Sequence, residues 1–165
     1  MIEINNIAKS FDNHKIIEDI STTFDKGKTN LIIGQSGSGK TVLMKCMLGL
    51  LDIDEGEIYF DDEKFNKKNI SKLANLRKQM GMVFQGSALF DSMSVLDNII
   101  FPLRMFSNKS NTEMIERTKE VIRRVDLKDV DNKFPSELSG GMRKRVAIAR
   151  AIVLNPKYLF CDEPN

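Results

Sequence analysis

Three things are scarce in this chain, and each scarcity excludes a class of protein. Charge of one sign is the first. The 25 Lys and Arg residues are nearly balanced by 23 Asp and Glu. A net charge of +2 over 165 residues gives no reason to expect nucleic acid as the main partner. Long apolar runs are the second. Stretches such as Leu31-Ile32-Ile33 or Ile99 to Leu103 fall far short of the about 20 residues that span a bilayer. The start, MIEINNIAKSF, has an acid at position 3 and no apolar h-region, so no signal peptide is read there and the cytoplasm is the expected compartment. Cysteine is the third, with only two residues. Cys46 and Cys161 are expected to be reduced, buried, small apolar residues. There is no internal repeat, low-complexity stretch or linker. What remains is 41% apolar and 29% charged, the composition of a globular chain, of a length that suits one domain with a normal core.

The apolar pattern alternates between two periods. Residues 2–11 and 15–25 read as short strands around a turn at Asp12-Asn13-His14, the first strand broken at Asn5-Asn6. The run KTNLIIG (28–34) reads as a buried strand, parallel to its neighbours. From Lys40 to Leu51, Val42, Leu43, Cys46, Met47 and Leu50 recur at spacings of 3 and 4, which predicts a helix. Strands follow at 56–62 and 81–85. Residues 111–125 predict an amphipathic helix opened by a Ser110/Glu113 capping box, and 140–153 predict another. Residues 157–162 close the pattern as a buried strand. Strands alternating with helices predict an α/β fold with a mainly parallel core sheet and an antiparallel part at the N-terminus.

The segment GQSGSGKT, from Gly34 through Gln35, Ser36, Gly37, Ser38, Gly39 and Lys40 to Thr41, has the pattern of a phosphate-binding loop. Glycines let a backbone fold around an anion with its N–H groups turned inward. The helix that follows adds its positive end. Lys40 supplies an ammonium for the outer phosphates, and the Thr41 hydroxyl can ligate Mg²⁺. A kinase, a GTPase or a motor could carry such a loop. The C-terminal pair Asp162-Glu163 follows the apolar run Tyr158-Leu159-Phe160. A carboxylate at a strand end is placed to hold Mg²⁺ through water, and an adjacent acid to take a proton from attacking water. That second acid favours ATP hydrolysis over GTP hydrolysis.

Between the two lies LSGGM (138–142), continued by RKRVAIARAI. Ser139 with the Gly140 and Gly141 amides opens a helix, a second anion-binding surface. In this order the phosphate loop, LSGGM and the acid pair resemble the ATPases of ABC transporters, whose signature is usually LSGGQ. The resemblance covers essentially the whole chain. It implies an ABC ATPase domain binding ATP and Mg²⁺. Phe11 is then the aromatic that stacks on adenine. Gln85 is the glutamine that reaches Mg²⁺ and the attacking water, and Glu163 is the catalytic base. Thr41, Gln85 and Asp162 form the metal set. Residues 1–85 correspond to the antiparallel β subdomain with the start of the core, 86–139 to the helical subdomain, and 140–165 to the signature helix and acid-bearing strand. The resemblance also implies a head-to-tail dimer, in which Ser139, Gly140 and Gly141 of one subunit close over the nucleotide of the other. A transmembrane permease would dock near 86–104, on an apolar patch formed by about half of Phe90, Met93, Ile99, Ile100, Phe101 and Leu103. The ATPase would then lie on the cytoplasmic face of the inner membrane.

Two finer expectations follow. FQGSALFDSMSVLDNIIFPLR (84–104) and the Met142 of the signature look most like the Mla or MCE type of ABC ATPase, which energises phospholipid trafficking in the cell envelope. An amino-acid or peptide importer, a soluble ABC protein and a non-catalytic nucleotide-binding remnant are the alternatives. Members of the family also continue past the acid pair with another core strand and a histidine that contacts the γ-phosphate. The single histidine here is His14. The chain is therefore expected to be C-terminally incomplete, binding ATP weakly without turning it over.

Overall fold

The computed structural model describes residues 1–12, 14–65 and 69–162. The chain forms two compact units, Met1–Ala74 and Asn75–Asn165.

The first unit is built on an antiparallel sheet. Strands β1 (Ile2–Phe11), β2 (His14–Phe24), β3 (Glu55–Phe60) and β4 (Glu63–Lys64) lie in the order β2-β1-β3-β4. Ile2, Ile4 and Ile7 of β1 and Ile58 and Phe60 of β3 are buried. The period of two puts Ile2 and Ile4 on one face of β1 and Ile58 and Phe60 on one face of β3; Ile7, three residues after Ile4, returns to the buried face through the bulge between them. The Asn5-Asn6 pair does not break β1, as the sequence suggests; it bulges it. The register shifts between Ile4 and Ile7 against β2 and between Asn5 and Ala8 against β3. Asn6 sits in the left-handed region (φ 49°), which asparagine tolerates. Gly56 faces the bulge, and a Cβ there would lie 2.4 Å from the Asn5 and Asn6 carbonyl oxygens. Helix α1 (Lys40–Met47) buries Leu43, Met44, Cys46 and Met47. Leu50 lies beyond its end and is exposed.

The predicted strand at 28–34 is not formed. Leu31 and Ile33 are 77% and 84% exposed. A buried parallel strand is made by partners on its flanks and layers on its faces, and among the described residues none pairs with this segment.

The second unit holds a parallel pair, β5 (Met80–Val83) and β6 (Tyr158–Cys161), in register Met80↔Tyr158 to Val83↔Cys161. It is preceded by α2 (Ile70–Lys78), which begins in the first unit. Helices α3 (Val95–Phe106), α4 (Asn111–Arg124) and α5 (Gly140–Ile152) pack on one another. Their core joins Val95, Ile99, Leu103, Val121, Val146 and Val153. The Ser110/Glu113 capping box forms as predicted. Val83 packs against Ala147 and Ala151 of α5. A Cβ on Gly81 would lie 2.4 Å from the Ala151 carbonyl oxygen, so this close approach of helix to strand requires glycine. The final strand is buried on one face only: Tyr158 and Phe160 point in, while Leu159 is 49% exposed. Cys161 is exposed too, contrary to expectation. The period of two sends it to the uncovered face, and partial burial pushes its thiol up from the ordinary value.

Candidate functional site

The phosphate-loop residues lead directly into helix α1. Gly34 to Ser38 form an irregular turn, with the Ser38 N–H donating to the Gln35 carbonyl (3.2 Å). Gly37 and Gly39 have φ of 79° and 91°, a region costly for any residue with a Cβ. At Gly39 a Cβ would also press on the Ile16 carbonyl oxygen at 2.9 Å, so the start of α1 rests on β2. At Gly34 it would lie 2.7 Å from Ser38 Oγ. The Lys40 ammonium donates to the carbonyls of Gly34 and Gln35, both at 2.9 Å. It is therefore held against its own loop by neutral acceptors, which an anion can replace with stronger charge-assisted bonds. Thr41 follows in the first turn of α1. The ammonium and the glycine turns here have the chemistry to receive a phosphate chain.

Phe11 is 41% exposed and ends β1 opposite His14. Ile16, which Gly39 touches, lies two residues further along β2. Lys9 Nζ stands 5.3 Å from the Phe11 ring centroid while bonded to Asp54 (2.6 Å).

The second unit carries the remaining candidates. Because β5 and β6 are parallel, Gln85 and Asp162 both follow the carboxyl ends of neighbouring strands, where α/β sheets place their ligands. The Asp162 N–H donates to the Val83 carbonyl (2.9 Å), which continues the ladder to the acid itself. Glu163 lies outside the described residues. Ser139 caps α5, its hydroxyl accepting from the Met142 N–H at 3.2 Å. Gly140 and Gly141 are exposed in the first turn. Met142, which replaces the polar residue usual there, packs its side chain against the helical core. The opposite end of α5 reaches the Gln85 loop about 15 Å from Ser139, at 1.5 Å per residue. The fold therefore gathers Gln85 with Asp162, and separates Ser139 from both.

The stretch after Gln85 divides evenly. Ile99, Ile100 and Leu103 are core, while Phe90 is 42% exposed and Met93 and Phe101 are half-buried. Phe90 and Phe101 pack with ring centroids 5.1 Å apart. They join Phe84, Pro102 and Phe106 along an open, largely apolar groove of about 300 Å³.

Two side chains that organise this region were not singled out from the sequence. Asn98 is fully buried in α3. Its amide accepts from the Phe90 N–H (2.8 Å) and donates to the carbonyls of Phe90, Met93 and Ser94 (3.0–3.1 Å). Arg150 of α5 donates to the carbonyls of Ser87 and Ala88. Each had a signal: a lone amide in VLDNIIFPL, and a lone guanidinium in VAIARAIV. A polar group inside an apolar run requires partners.

Among the described residues no group of three His, Cys, Asp or Glu could hold a metal ion, and no helix is long and apolar enough to cross a membrane.

Known proteins resemble this chain along nearly its full length. A family model described as ABC transporter matches residues 17–165. The chain is 40% identical over 164 residues to the probable ribonucleotide transport ATP-binding protein mkl of Mycobacterium bovis, covering 99% of this chain and 46% of that protein. It is 41% identical over 163 residues to the methionine import ATP-binding protein MetN of Clostridium tetani, covering 99% and 51%. It thus spans about half the length of the curated relatives it matches. Among solved structures, the dimeric, post-hydrolysis ATP-binding cassette MJ0796 bound to ADP and Pi superimposes with a TM-score of 0.91 at 30% identity. That match covers 100% of this chain and 75% of the other. With phosphate loop, capped signature helix and acid-bearing strand all placed in the fold, and a family match reaching from residue 17 to 165, the chain belongs to the ABC transporter family.

Proposed function

We propose that this chain is the ATP-binding, ATP-hydrolysing part of an ABC transporter. The observation that carries the reading is the Gly34–Thr41 loop, whose ammonium is bonded to neutral carbonyls beside a helix N-terminus. In this reading Lys40 and the loop amides of residues 35–39 bind the outer phosphates, and Phe11 stacks on the adenine. Gln85 orients the attacking water, and Glu163 takes its proton. Thr41, Gln85 and Asp162 would hold Mg²⁺, which supplies charge neutralisation on the phosphates. Ser139, Gly140 and Gly141 of a second copy bind the far side of the same nucleotide, giving a head-to-tail dimer; the dimeric cassette among the solved relatives supports this. Lys40→Ala is expected to weaken binding of a fluorescent ATP analogue about 100-fold, from one or two lost charge-assisted bonds, while the melting temperature stays within a degree or two. Unchanged affinity would count against the site.

A permease docks on the apolar groove beside 86–104 and holds the ATPase at the cytoplasmic membrane face. Phe90→Asp is expected to abolish co-purification with that permease and to leave ATP-analogue affinity unchanged. For the cargo, the Ala88-Leu89-Phe90-Asp91-Ser92 run and Met142 favour phospholipid or another hydrophobic molecule. The relatives named for methionine and for sulfate or thiosulfate import favour a second reading, import of a small polar solute. Stimulation of ATP turnover by phospholipid vesicles or by a polar solute, in the reconstituted permease complex, separates the two.

A further inference from the structure

Helix α5 runs from the Ser139 cap to the loop that follows Gln85, and Arg150 makes the junction. Its Nη1 donates to the Ala88 carbonyl at 2.8 Å and its Nη2 to the Ser87 carbonyl at 2.9 Å. Two successive carbonyls turned to one guanidinium match the planar fork of arginine; a lysine ammonium has no such geometry. The turn that presents them is not one these residues adopt readily. Ser87 and Ala88 have φ of 63° and 47°, a region disfavoured for side chains with a Cβ. Burial pulls the Arg150 guanidinium below its ordinary value, yet arginine stays charged in proteins, so both bonds are charge-assisted. The guanidinium carbon also lies 5.8 Å from the Phe90 ring centroid. Asn98 fixes the backbone of Phe90, Met93 and Ser94 from α3. On the other side of Gln85, β5 is laddered to β6. Gln85 thus stands between a strand fixed by its ladder and a turn fixed by α5.

We propose that Arg150 is a positioning residue that ties the C-terminal end of α5 to the Gln85 loop. A shift of the signature helix then moves the Gln85 backbone, and displacement of that loop is felt at Ser139 about 15 Å away along a stiff helix. The inference rests on the proposed role of Gln85.

The test compares Arg150→Met and Arg150→Lys with the unaltered full chain. Amide hydrogen exchange is followed residue by residue, alongside affinity for a fluorescent ATP analogue. Arg150→Met is expected to speed exchange of the 86–90 amides at least tenfold while α3 and α4 amides keep their protection. Analogue affinity stays unchanged. Arg150→Lys recovers part of the lost protection. Equal deprotection throughout α3, α4 and α5 would reduce Arg150 to a packing residue. Unchanged exchange at 86–90, or a lysine variant no better than methionine, would overturn the proposal. Failure of the unaltered chain to bind the analogue would instead sink the proposed function, with the exchange comparison still deciding on Arg150.

Discussion

The two loops proposed to meet the nucleotide differ in where their side-chain hydrogen bonds come from. The Gly34–Thr41 loop is held by its own atoms: Lys40 turns back onto Gly34 and Gln35, Ser38 onto Gln35, and glycines take the conformations with positive φ. The 86–94 loop has short bonds of its own, with the Ser87 N–H donating to the Phe84 carbonyl and the Met93 N–H to the Phe90 carbonyl, but it is also held from outside, by Arg150 of α5 and Asn98 of α3. Its positive-φ positions are a serine and an alanine. A loop closed on itself can exchange its internal bonds for a ligand's without disturbing the elements around it. A loop suspended between helices takes its position from those helices. The first arrangement suits binding, and the second suits transmission.

Three substitutions test that contrast. Asn98→Leu removes the suspension on the α3 side. It leaves the part-buried Phe90 N–H without its acceptor and is expected to cost about 3 kcal/mol of stability, the sum of one unsatisfied group and several lost hydrogen bonds. Urea unfolding measures it; a loss under about 1 kcal/mol would mean that the loop holds itself. Gly39→Ala attacks the self-closed loop. Its left-handed φ and the 2.9 Å approach to the Ile16 oxygen should cost about 1–2 kcal/mol and lower ATP-analogue affinity in parallel. Retained affinity would show that the loop does not need its glycine geometry. Ser139→Ala removes the α5 cap for about 1 kcal/mol, read as faster exchange in the first turn of α5. Exchange at 86–90 should rise less, and a larger rise there than at the cap would show stronger coupling along α5 than a stiff rod gives.

The part of the site closed on itself was the part legible in sequence. GQSGSGKT, the Ser139 cap and the Ser110/Glu113 box are local devices, in which a residue's partner lies within a few positions. The suspended loop was not legible, because Arg150 and its acceptors are 62 and 63 residues apart. Segment 28–34 shows the same limit from the other side. Its apolar run satisfies the pattern of a buried strand, but strand formation needs a ladder that sequence adjacency does not supply.

By itself, the sequence determined the glycine-rich turn before α1 and the helix caps, because each is set by backbone sterics and bonds between near neighbours. The tertiary structure alone decided that Gln85 and Asp162 leave the same edge of a parallel pair, that Asn5-Asn6 bulges rather than ends β1, and that Arg150 reaches the loop after Gln85. Those outcomes depend on which distant backbones lie within hydrogen-bonding reach, and only the folded chain fixes that.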